Sequence, residues 1–245
     1  MRVLILGGTG EARALANRLV EAGHDVTTSL AGRTSDPLLP AGSVRVGKFG
    51  GIPGLCAYLR AGKYERLVDA THPYAGQISI NAVAASQATG IALIRLMRAP
   101  WQPLPGAGWL RAASAEAAAA LLPSGARVLL TTGHTGLDAF LDRDDCVFYV
   151  RVIETPEQPL PGYAHLLQTR PPFTLAGEKD VLAARGITHL VSKNSGGSQT
   201  AAKLQAASDL GVAVVMIDRP VYGPAHEVGT LEEAFAALHA EPSRR

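Results

Sequence analysis

Residues 3–12 read Val-Leu-Ile-Leu-Gly-Gly-Thr-Gly-Glu-Ala and decide the fold. An apolar run of strand length ends in a glycine turn, and a helical pattern follows from about residue 11 to residue 22. Glycines allow the backbone to approach a pyrophosphate, and a helix N-terminus offers N–H donors and the positive end of its dipole. The stretch therefore predicts a Rossmann-type unit that binds nucleotide phosphates through Gly8, Thr9, Gly10, Glu11 and Ala12.

The full G-x-G-x-x-G pattern is not met, because Arg13 stands where the last glycine would be. A glycine turn without a ligand is the alternative. Its place between a strand and a helix, as the first turn of the chain, favours the phosphate site.

Strands and helices alternate along the rest of the chain. The predicted strands cover 2–6, 25–30, 44–46, 67–70, 91–96, 127–131, 146–152, 165–169, 188–192 and 212–217, and the predicted helices cover 11–22, 53–61, 76–89, 114–121, 135–141, 175–185, 199–210 and 230–239. This alternation predicts an α/β fold with mostly parallel sheets covered on both faces. A cluster of proline and glycine predicts a linker at 99–109. It would join two Rossmann-like domains, 1–98 and 110–245, with a cleft between them.

Composition narrows the class of protein. The 245 residues are 47% hydrophobic and 18% charged, which is typical of a globular protein, and the net charge of +2 does not favour nucleic-acid binding. Cys56 and Cys146 are too far apart for a CxxC motif, so we expect buried thiols and no metal site. No apolar stretch approaches the roughly 20 residues of a membrane span, and the first residues do not resemble a signal peptide. We expect a cytoplasmic protein.

The end of the second strand predicts which nicotinamide cofactor binds. An NAD site needs an acid there for the ribose 2′-hydroxyl, yet the first acid is Asp36, beyond the turn. Ser29, Arg33 and Thr34 would instead suit a 2′-phosphate, because a guanidinium binds phosphate oxygens bidentately. NADPH is therefore predicted, and a solvated surface arginine is the alternative.

The exits of the third and fourth strands carry further candidates. Gly50 and Gly51 would lie on the adenine side, and Thr71 near the nicotinamide ribose. His72 could donate a proton, bind a carboxylate or simply cap the next helix. Tyr74 could contact the substrate or only pack. Both are weak candidates for catalysis.

Polar residues also follow two strands of the second half. Thr132 and Gly133 follow one strand, and a second turn holds Lys193, Asn194, Ser195, Gly196 and Gly197. A lysine, small side chains and backbone donors before a helix predict an anion site on the substrate side. A glycine-rich connection with a surface lysine is the alternative.

Four motifs together resemble one family. They are Gly-Gly-Thr-Gly-Glu-Ala at 7–12, Asp-Ala-Thr-His-Pro-Tyr-Ala at 69–75, Thr-Thr-Gly at 131–133 and Ser-Lys-Asn-Ser-Gly-Gly at 192–197. In this order they are similar to the precorrin-6A reductase family of corrin-ring biosynthesis. The resemblance implies NADPH-dependent reduction of one carbon–carbon double bond of precorrin-6A, giving precorrin-6B, with the macrocycle between two Rossmann-like domains. It leaves open whether the substrate is metal-free or contains cobalt.

Two other functions remain open at this point. One is a different NADPH-dependent reductase on the same scaffold, because a fold does not determine a function. The absence of a Tyr-x-x-x-Lys pair argues against the short-chain dehydrogenase type. The other is a non-catalytic NADPH-sensing module, which would leave the loop at Lys193 without a ligand.

Overall fold

The chain forms two α/β units, each built on a six-stranded parallel sheet. A computed structural model describes residues 1–32, 38–106, 108–156 and 158–240. The first unit contains Met1–Ala99 together with the chain from Pro220 onward, and the second contains Pro100–Arg219. The chain therefore leaves the first unit once and later returns to it.

The first unit begins with a regular strand–helix alternation. Its elements are β1 (Arg2–Leu6), α1 (Gly10–Glu21), β2 (Asp25–Leu30), β3 (Ser43–Val46), α2 (Gly51–Ala61), β4 (Arg66–Asp69), α3 (Gly76–Thr89) and β5 (Ala92–Leu96). The second unit then follows without interruption. Its elements are β6 (Trp109–Ala112), α4 (Ala115–Ala120), β7 (Arg127–Leu130), α5 (Asp138–Leu141), β8 (Val147–Val152), β9 (Ala164–Gln168), α6 (Leu175–Ala184), β10 (His189–Lys193), α7 (Ala202–Asp209) and β11 (Ala213–Ile217). The return segment adds β12 (His226–Val228) and α8 (Leu231–His239) to the first unit.

Both sheets have the same topology. The strand orders are β3-β2-β1-β4-β5-β12 in the first unit and β9-β8-β7-β10-β11-β6 in the second, and neighbouring strands pair in parallel throughout. Five consecutive strands in each sheet follow the order of a dinucleotide-binding Rossmann sheet. The order reverses between β1 and β4, and again between β7 and β10. Ligands bind at such switch points, beyond the carboxyl ends of the strands.

The first core has two layers, one on each side of the sheet. Val3 and Ile5 of β1 pack on α1 and α8, whereas Leu4 and Leu6 pack on α2 and α3. All four side chains are at most 1% exposed. Since successive side chains of a strand point to opposite faces, a strand buried on both faces must be apolar throughout. The unbroken apolar run at the start of the sequence follows from this position.

Small polar side chains determine where several helices begin. Thr9 caps α1, Ser114 caps α4 and Thr174 caps α6, each by accepting a backbone N–H with its hydroxyl. Thr230 forms a capping box with Glu233 at the start of α8. These caps satisfy N–H groups that have no partner inside the helix.

Two sequence-based expectations need correction. The domain predicted at 110–245 loses its last part, because β12 pairs with β5 of the first sheet, and Ala234 and Leu238 of α8 lie in the first core. Apolar periodicity reveals a helix but not the sheet on which it packs. The strands β6 and β12 were also missed, since β6 begins at the end of the proline–glycine cluster and β12 is only three residues long.

The expectations for the remaining elements and for the two cysteines are confirmed. The remaining strands and helices lie where the sequence predicted them, with ends that differ by a few residues. Both cysteines are buried and free. Among the helices that the structure describes, none combines the length and apolar character needed to cross a membrane.

The burial of α8 in the first core generates a stability prediction. Leu238 is 1% exposed, so Leu238→Ala is expected to lower the free energy of unfolding by about 2–5 kcal/mol. Leu39→Ala is the control, because Leu39 is 63% exposed and its truncation should change stability by no more than about 0.5 kcal/mol. Urea denaturation followed by circular dichroism measures both. Equal, small effects would show that α8 is not part of the first core.

Candidate active site

The glycine turn after β1 leaves its backbone open to a ligand. Gly7 packs closely, since a Cβ there would lie 2.7 Å from Cγ2 of Thr28. Gly8 has a φ of +110°, and a Cβ there would meet nothing within 4 Å. The first residue needs glycine for packing, and the second needs it for its left-handed backbone. The open space beside Gly8 is where a phosphate group could approach the chain.

Thr9 and Glu11 connect the turn to its surroundings. The Thr9 hydroxyl accepts from the N–H of Ala12 at 3.1 Å and donates to the carbonyl of Ala70 at 2.7 Å. The Glu11 carboxylate accepts from Arg98 at 2.8 Å. The side chains thus fix the turn, and the helix start presents its backbone N–H groups. The structure brings together all five residues predicted for the phosphate site, from Gly8 to Ala12.

The loop after β4 lies beside this turn. Asp69 accepts from the N–H of Thr71 at 3.2 Å and from its hydroxyl at 2.6 Å. The Nδ1 atom of His72 accepts from the N–H of Tyr74 at 3.3 Å, so a neutral His72 carries its proton on Nε2. A small pocket lies between the loop and the turn. It is lined by Thr9, Glu11, Thr71, Pro73, Leu96, Met97 and Arg98.

The carboxyl end of β2 has a cationic neighbour that sequence reasoning missed. Ser29 stands opposite Arg45 of β3 in the sheet register, and Nη1 of Arg45 is 3.4 Å from its hydroxyl. The guanidinium lies over the ring of Phe49 at 3.9 Å. The sequence signal for Arg45 was its charge, which stands between the two apolar residues Val44 and Val46. Arg33 and Thr34, predicted for the same site, lie outside the described residues.

Gly50 and Gly51 mark the start of α2. Gly50 is its left-handed N-cap, with a φ of +81°, and no side chain caps the helix there. Both glycines follow β3, the strand that sequence reasoning assigned to the adenine side.

In the second unit, a lysine joins the two candidate loops at the switch point. Nζ of Lys193 donates to the carbonyl of Thr132 at 2.6 Å. The N–H of Ser195 donates back to the carbonyl of Lys193 at 2.7 Å, which makes a tight turn. Gly196 and Gly197 continue this turn with φ values of +69° and +83°. The following helix α7 begins only at Ala202, later than predicted, so the two glycines precede its first turn.

Asn194 forms hydrogen bonds with Trp101, a residue of the segment that the sequence identified only as a linker. Its Oδ1 accepts from the N–H of Trp101 at 2.7 Å, and its Nδ2 donates to the carbonyl of Trp101 at 3.1 Å. The indole N–H of Trp101 donates to the carbonyl of Gly197 at 2.9 Å. Nε of Arg219 donates to the carbonyl of Asn194 at 2.6 Å. These partners are far apart along the chain, and no local pattern predicts them.

A known protein family matches almost the whole chain. The family described as precorrin-6x reductase CbiJ/CobK matches residues 2–239. The chain belongs to this family. The precorrin-6A reductase of Rhodococcus erythropolis is 48% identical over 239 residues, which are 97% of this chain and 96% of that protein.

The likeness extends to a solved structure and to a second branch of the family. A CobK precorrin-6A reductase superposes with a TM-score of 0.92 at 41% identity, covering 97% of this chain and 96% of that one. The cobalt-precorrin-6A reductase of Priestia megaterium is 28% identical over 249 residues, covering 96% of this chain and 97% of that protein.

A buried charged cluster underlies the Lys193–Gly197 loop in this family member. Nη1 of Arg151 on β8 contacts Oε1 of Glu178 on α6 at 2.6 Å, and both residues are at most 8% exposed. Nζ of Lys203 on α7 lies 4.9 Å from the ring of Trp101. Burial and the positive charge of Arg151 both lower the pKa of Lys203, Glu178 opposes them, and the pKa falls to about 7 as a result. Burying a charge in this way costs stability.

Within the described ranges, neither a metal-ligating cluster nor the larger cavity lies at this site. The described residues contain no cluster of histidine, cysteine or carboxylate side chains suited to a metal ion. The larger pocket is lined by the 104–108 segment and by residues at the end of α7 and the start of β11. It therefore lies at the amino edge of the second sheet, away from the candidate loops.

The buried lysine generates a pH prediction. An unfolded lysine keeps its proton up to about pH 10. The folded Lys203, with a pKa of about 7, has released it, so the unfolded state binds more protons between these values. Stability contributed by this group therefore rises with pH across that window. Lys203→Met should be as stable as the wild type or more stable at about pH 7.

The difference in the free energy of unfolding between Lys203→Met and the wild type should shrink as pH rises from about 7 to about 10. Urea unfolding at several pH values measures it. Lys179→Met, which removes a half-buried lysine from α6, corrects for the change in net charge. An advantage for Lys203→Met that grows with pH would contradict the lowered pKa.

Proposed function

We propose that this chain reduces one carbon–carbon double bond of precorrin-6A, giving precorrin-6B, with NADPH as the reductant. The observation that carries the proposal is the match to a precorrin-6A reductase, 48% identical over almost the whole of both chains. The chain then supplies both halves of such an enzyme, a nucleotide-binding unit and a second unit for the substrate. The chain is 48% identical to this protein named for precorrin-6A and 28% identical to the one named for cobalt-precorrin-6A, which favours a metal-free substrate.

The first unit offers a fitting place for the cofactor. The open backbone at Gly8 and the start of α1 would hold the pyrophosphate, with N–H groups of Gly10 and Glu11 as donors. The glycines at 50 and 51 would leave room for the adenine, and Thr71 would lie near the nicotinamide ribose. When bound, NADPH supplies the hydride.

The choice of NADPH over NADH is assigned to positive charge beside β2. The strand ends without an acid for the ribose 2′-hydroxyl, and the Ser29 hydroxyl is 3.4 Å from Nη1 of Arg45. A 2′-phosphate placed there would gain charge-assisted hydrogen bonds. Arg33 is proposed as the second cation of this site.

The second unit would bind the acidic arms of the tetrapyrrole. Lys193 links the two candidate loops by donating a hydrogen bond to the carbonyl of Thr132, and Arg219 donates one to the carbonyl of Asn194. Two cations and the backbone of Ser195, Gly196 and Gly197 thus lie at one switch point. Such a place attracts carboxylates, and the loss of either cation would weaken that attraction.

The reaction also needs a proton for the carbon next to the one that receives hydride. The loop at Thr71 offers two donors, the Nε2–H of a neutral His72 and the hydroxyl of Tyr74. Their rings lie 5.8 Å apart, so both belong to one small region of the first unit. We assign the proton donor to this loop, and His72→Asn and Tyr74→Phe separate the two candidates by their effect on kcat and its pH profile.

The central experiment is anaerobic incubation of the purified protein with NADPH and precorrin-6A. Loss of reduced nicotinamide absorbance should depend on the tetrapyrrole, and mass spectrometry should show a product that has gained two hydrogen atoms. Incubation with NADPH alone is the control. No oxidation of NADPH, or oxidation without change of the tetrapyrrole, would refute the proposed activity.

Removing Arg45 tests the cofactor site. Arg45→Ala should weaken NADPH binding by about ten- to a hundredfold, because a charged hydrogen-bond partner of the 2′-phosphate is lost, and should weaken NADH much less. Isothermal calorimetry measures both affinities. Arg60→Ala on α2 is the matched control, since its guanidinium donates to the carbonyl of Ala88. Equal losses for both cofactors would remove Arg45 from the 2′-phosphate site.

Removing Lys193 tests the substrate loop. Lys193→Ala should raise KM for the tetrapyrrole, while NADPH affinity in the binary complex changes by less than about threefold. The difference from wild type should shrink as salt concentration rises, because salt screens ionic attraction. Loss of NADPH binding with unchanged tetrapyrrole binding would assign this loop to the cofactor instead.

A further inference from the structure

The chain passes between the units twice, at residues 98–101 and 219–222. We call these segments the outgoing and the return connection. Each connection forms side-chain hydrogen bonds at both ends. In all four places, the partner belongs to a turn or loop that carries candidate site residues.

The outgoing connection is fixed first in one unit and then in the other. Nη1 of Arg98 donates to Glu11 of the glycine turn at 2.8 Å. Three residues later, the backbone of Trp101 is held by both atoms of the Asn194 amide, at 2.7 and 3.1 Å. A doubly bonded amide fixes the direction as well as the position of the peptide that it holds.

The return connection repeats the arrangement in reverse order. Nε of Arg219 donates to the carbonyl of Asn194 at 2.6 Å. The hydroxyl of Tyr222 then donates to the carbonyl of Pro73 at 2.8 Å, in the middle of the loop that carries His72 and Tyr74. Asn194 therefore contacts both connections.

A buried ion pair holds the segment that contains Tyr222. Arg95 is 1% exposed, and its Nη1 donates to Glu227 of β12 at 2.8 Å and to the carbonyl of Gly223 at 3.1 Å. Its Nε is 3.4 Å from Asp69, the carboxylate that also holds Thr71. The return segment and the loop after β4 are thus bound to the same arginine.

We propose that Asn194 and Tyr222 are positioning residues, which keep the Lys193–Gly197 loop and the Thr71–Ala75 loop in place by tying them to the two connections. The proposal rests on the proposed function, because it gives these loops their roles. It assigns the Asn194 amide to Trp101 rather than to the substrate, where sequence reasoning placed it. A reacting group displaced by about 1 Å can lose on the order of a hundredfold in rate.

Tyr222→Phe and Asn194→Ala test the proposal. Each should lower kcat at least about tenfold, while NADPH affinity changes by less than about threefold and the midpoint of urea unfolding stays close to the wild type. Asn194→Asp keeps the acceptor for the Trp101 N–H and loses the donor, so its kcat should fall between those of the wild type and Asn194→Ala.

Two matched controls separate positioning from the general loss of a hydrogen bond. Tyr163→Phe removes a tyrosine hydroxyl that donates to the carbonyl of Leu141 at 2.6 Å, near the amino edge of the second sheet. Asn17→Ala removes an amide oxygen that accepts from the N–H of Ala41 at 2.8 Å. Neither should change kcat more than about twofold. Equal losses of kcat in variants and controls would overturn the proposal.

Hydrogen exchange provides a readout that does not depend on the substrate. Amide exchange should accelerate within residues 71–75 in Tyr222→Phe and within 194–197 in Asn194→Ala, and neither control should change it there. Unchanged exchange in these loops would also overturn the proposal. If the wild type failed to reduce the tetrapyrrole, the proposed function would fall, while the exchange data would still decide whether the two residues hold the loops.

Discussion

Each sheet consists of five strands that follow one another in the chain and a sixth strand at one edge. The sixth strand is β12 in the first sheet and β6 in the second. A parallel strand can join a sheet only through a crossover, and all parallel strands end at the same edge. The first sheet takes β12 after the second unit is finished, and the second sheet takes β6 before its own first crossover. Because β12 belongs to the first sheet, the chain passes between the units twice, and each passage starts from the carboxyl end of a strand, β5 or β11.

The same constraint explains why so many hydrogen bonds meet at a few residues. Arg95 lies between β4 and β12 and binds carboxylates from both sides. Asn194 binds the chain as it enters the second unit and again as it leaves. A buried polar group without partners would be costly, so such residues either satisfy several neighbours or destabilise the fold. In the first unit, the buried Arg95 and Asp69 show this, because together they hold the return segment and the loop after β4.

Local chemistry made much of this predictable from the sequence. The glycine turn, the apolar strands and the proline–glycine cluster depend on neighbours in sequence, and they gave the α/β class and most of the elements. The polar loops after β7 and β10 were also predicted, and the structure joins them through the hydrogen bond from Lys193 to the carbonyl of Thr132. Arg45, Trp101 and the pair of Arg151 with Glu178 were missed. Each owes its place to a partner on another strand, loop or helix, and no local pattern encodes that pairing.

The route of the chain also bears on its synthesis. The second unit is one continuous stretch, Pro100–Arg219, whereas the first needs the chain from Pro220 onward for β12 and α8. Domains tend to fold as units while the ribosome is still adding residues. Here the first unit emerges before the second but lacks an edge strand and a covering helix until the chain from Pro220 onward has been added. The second unit has all of its own strands earlier, so the first unit is completed after it although its synthesis starts before it.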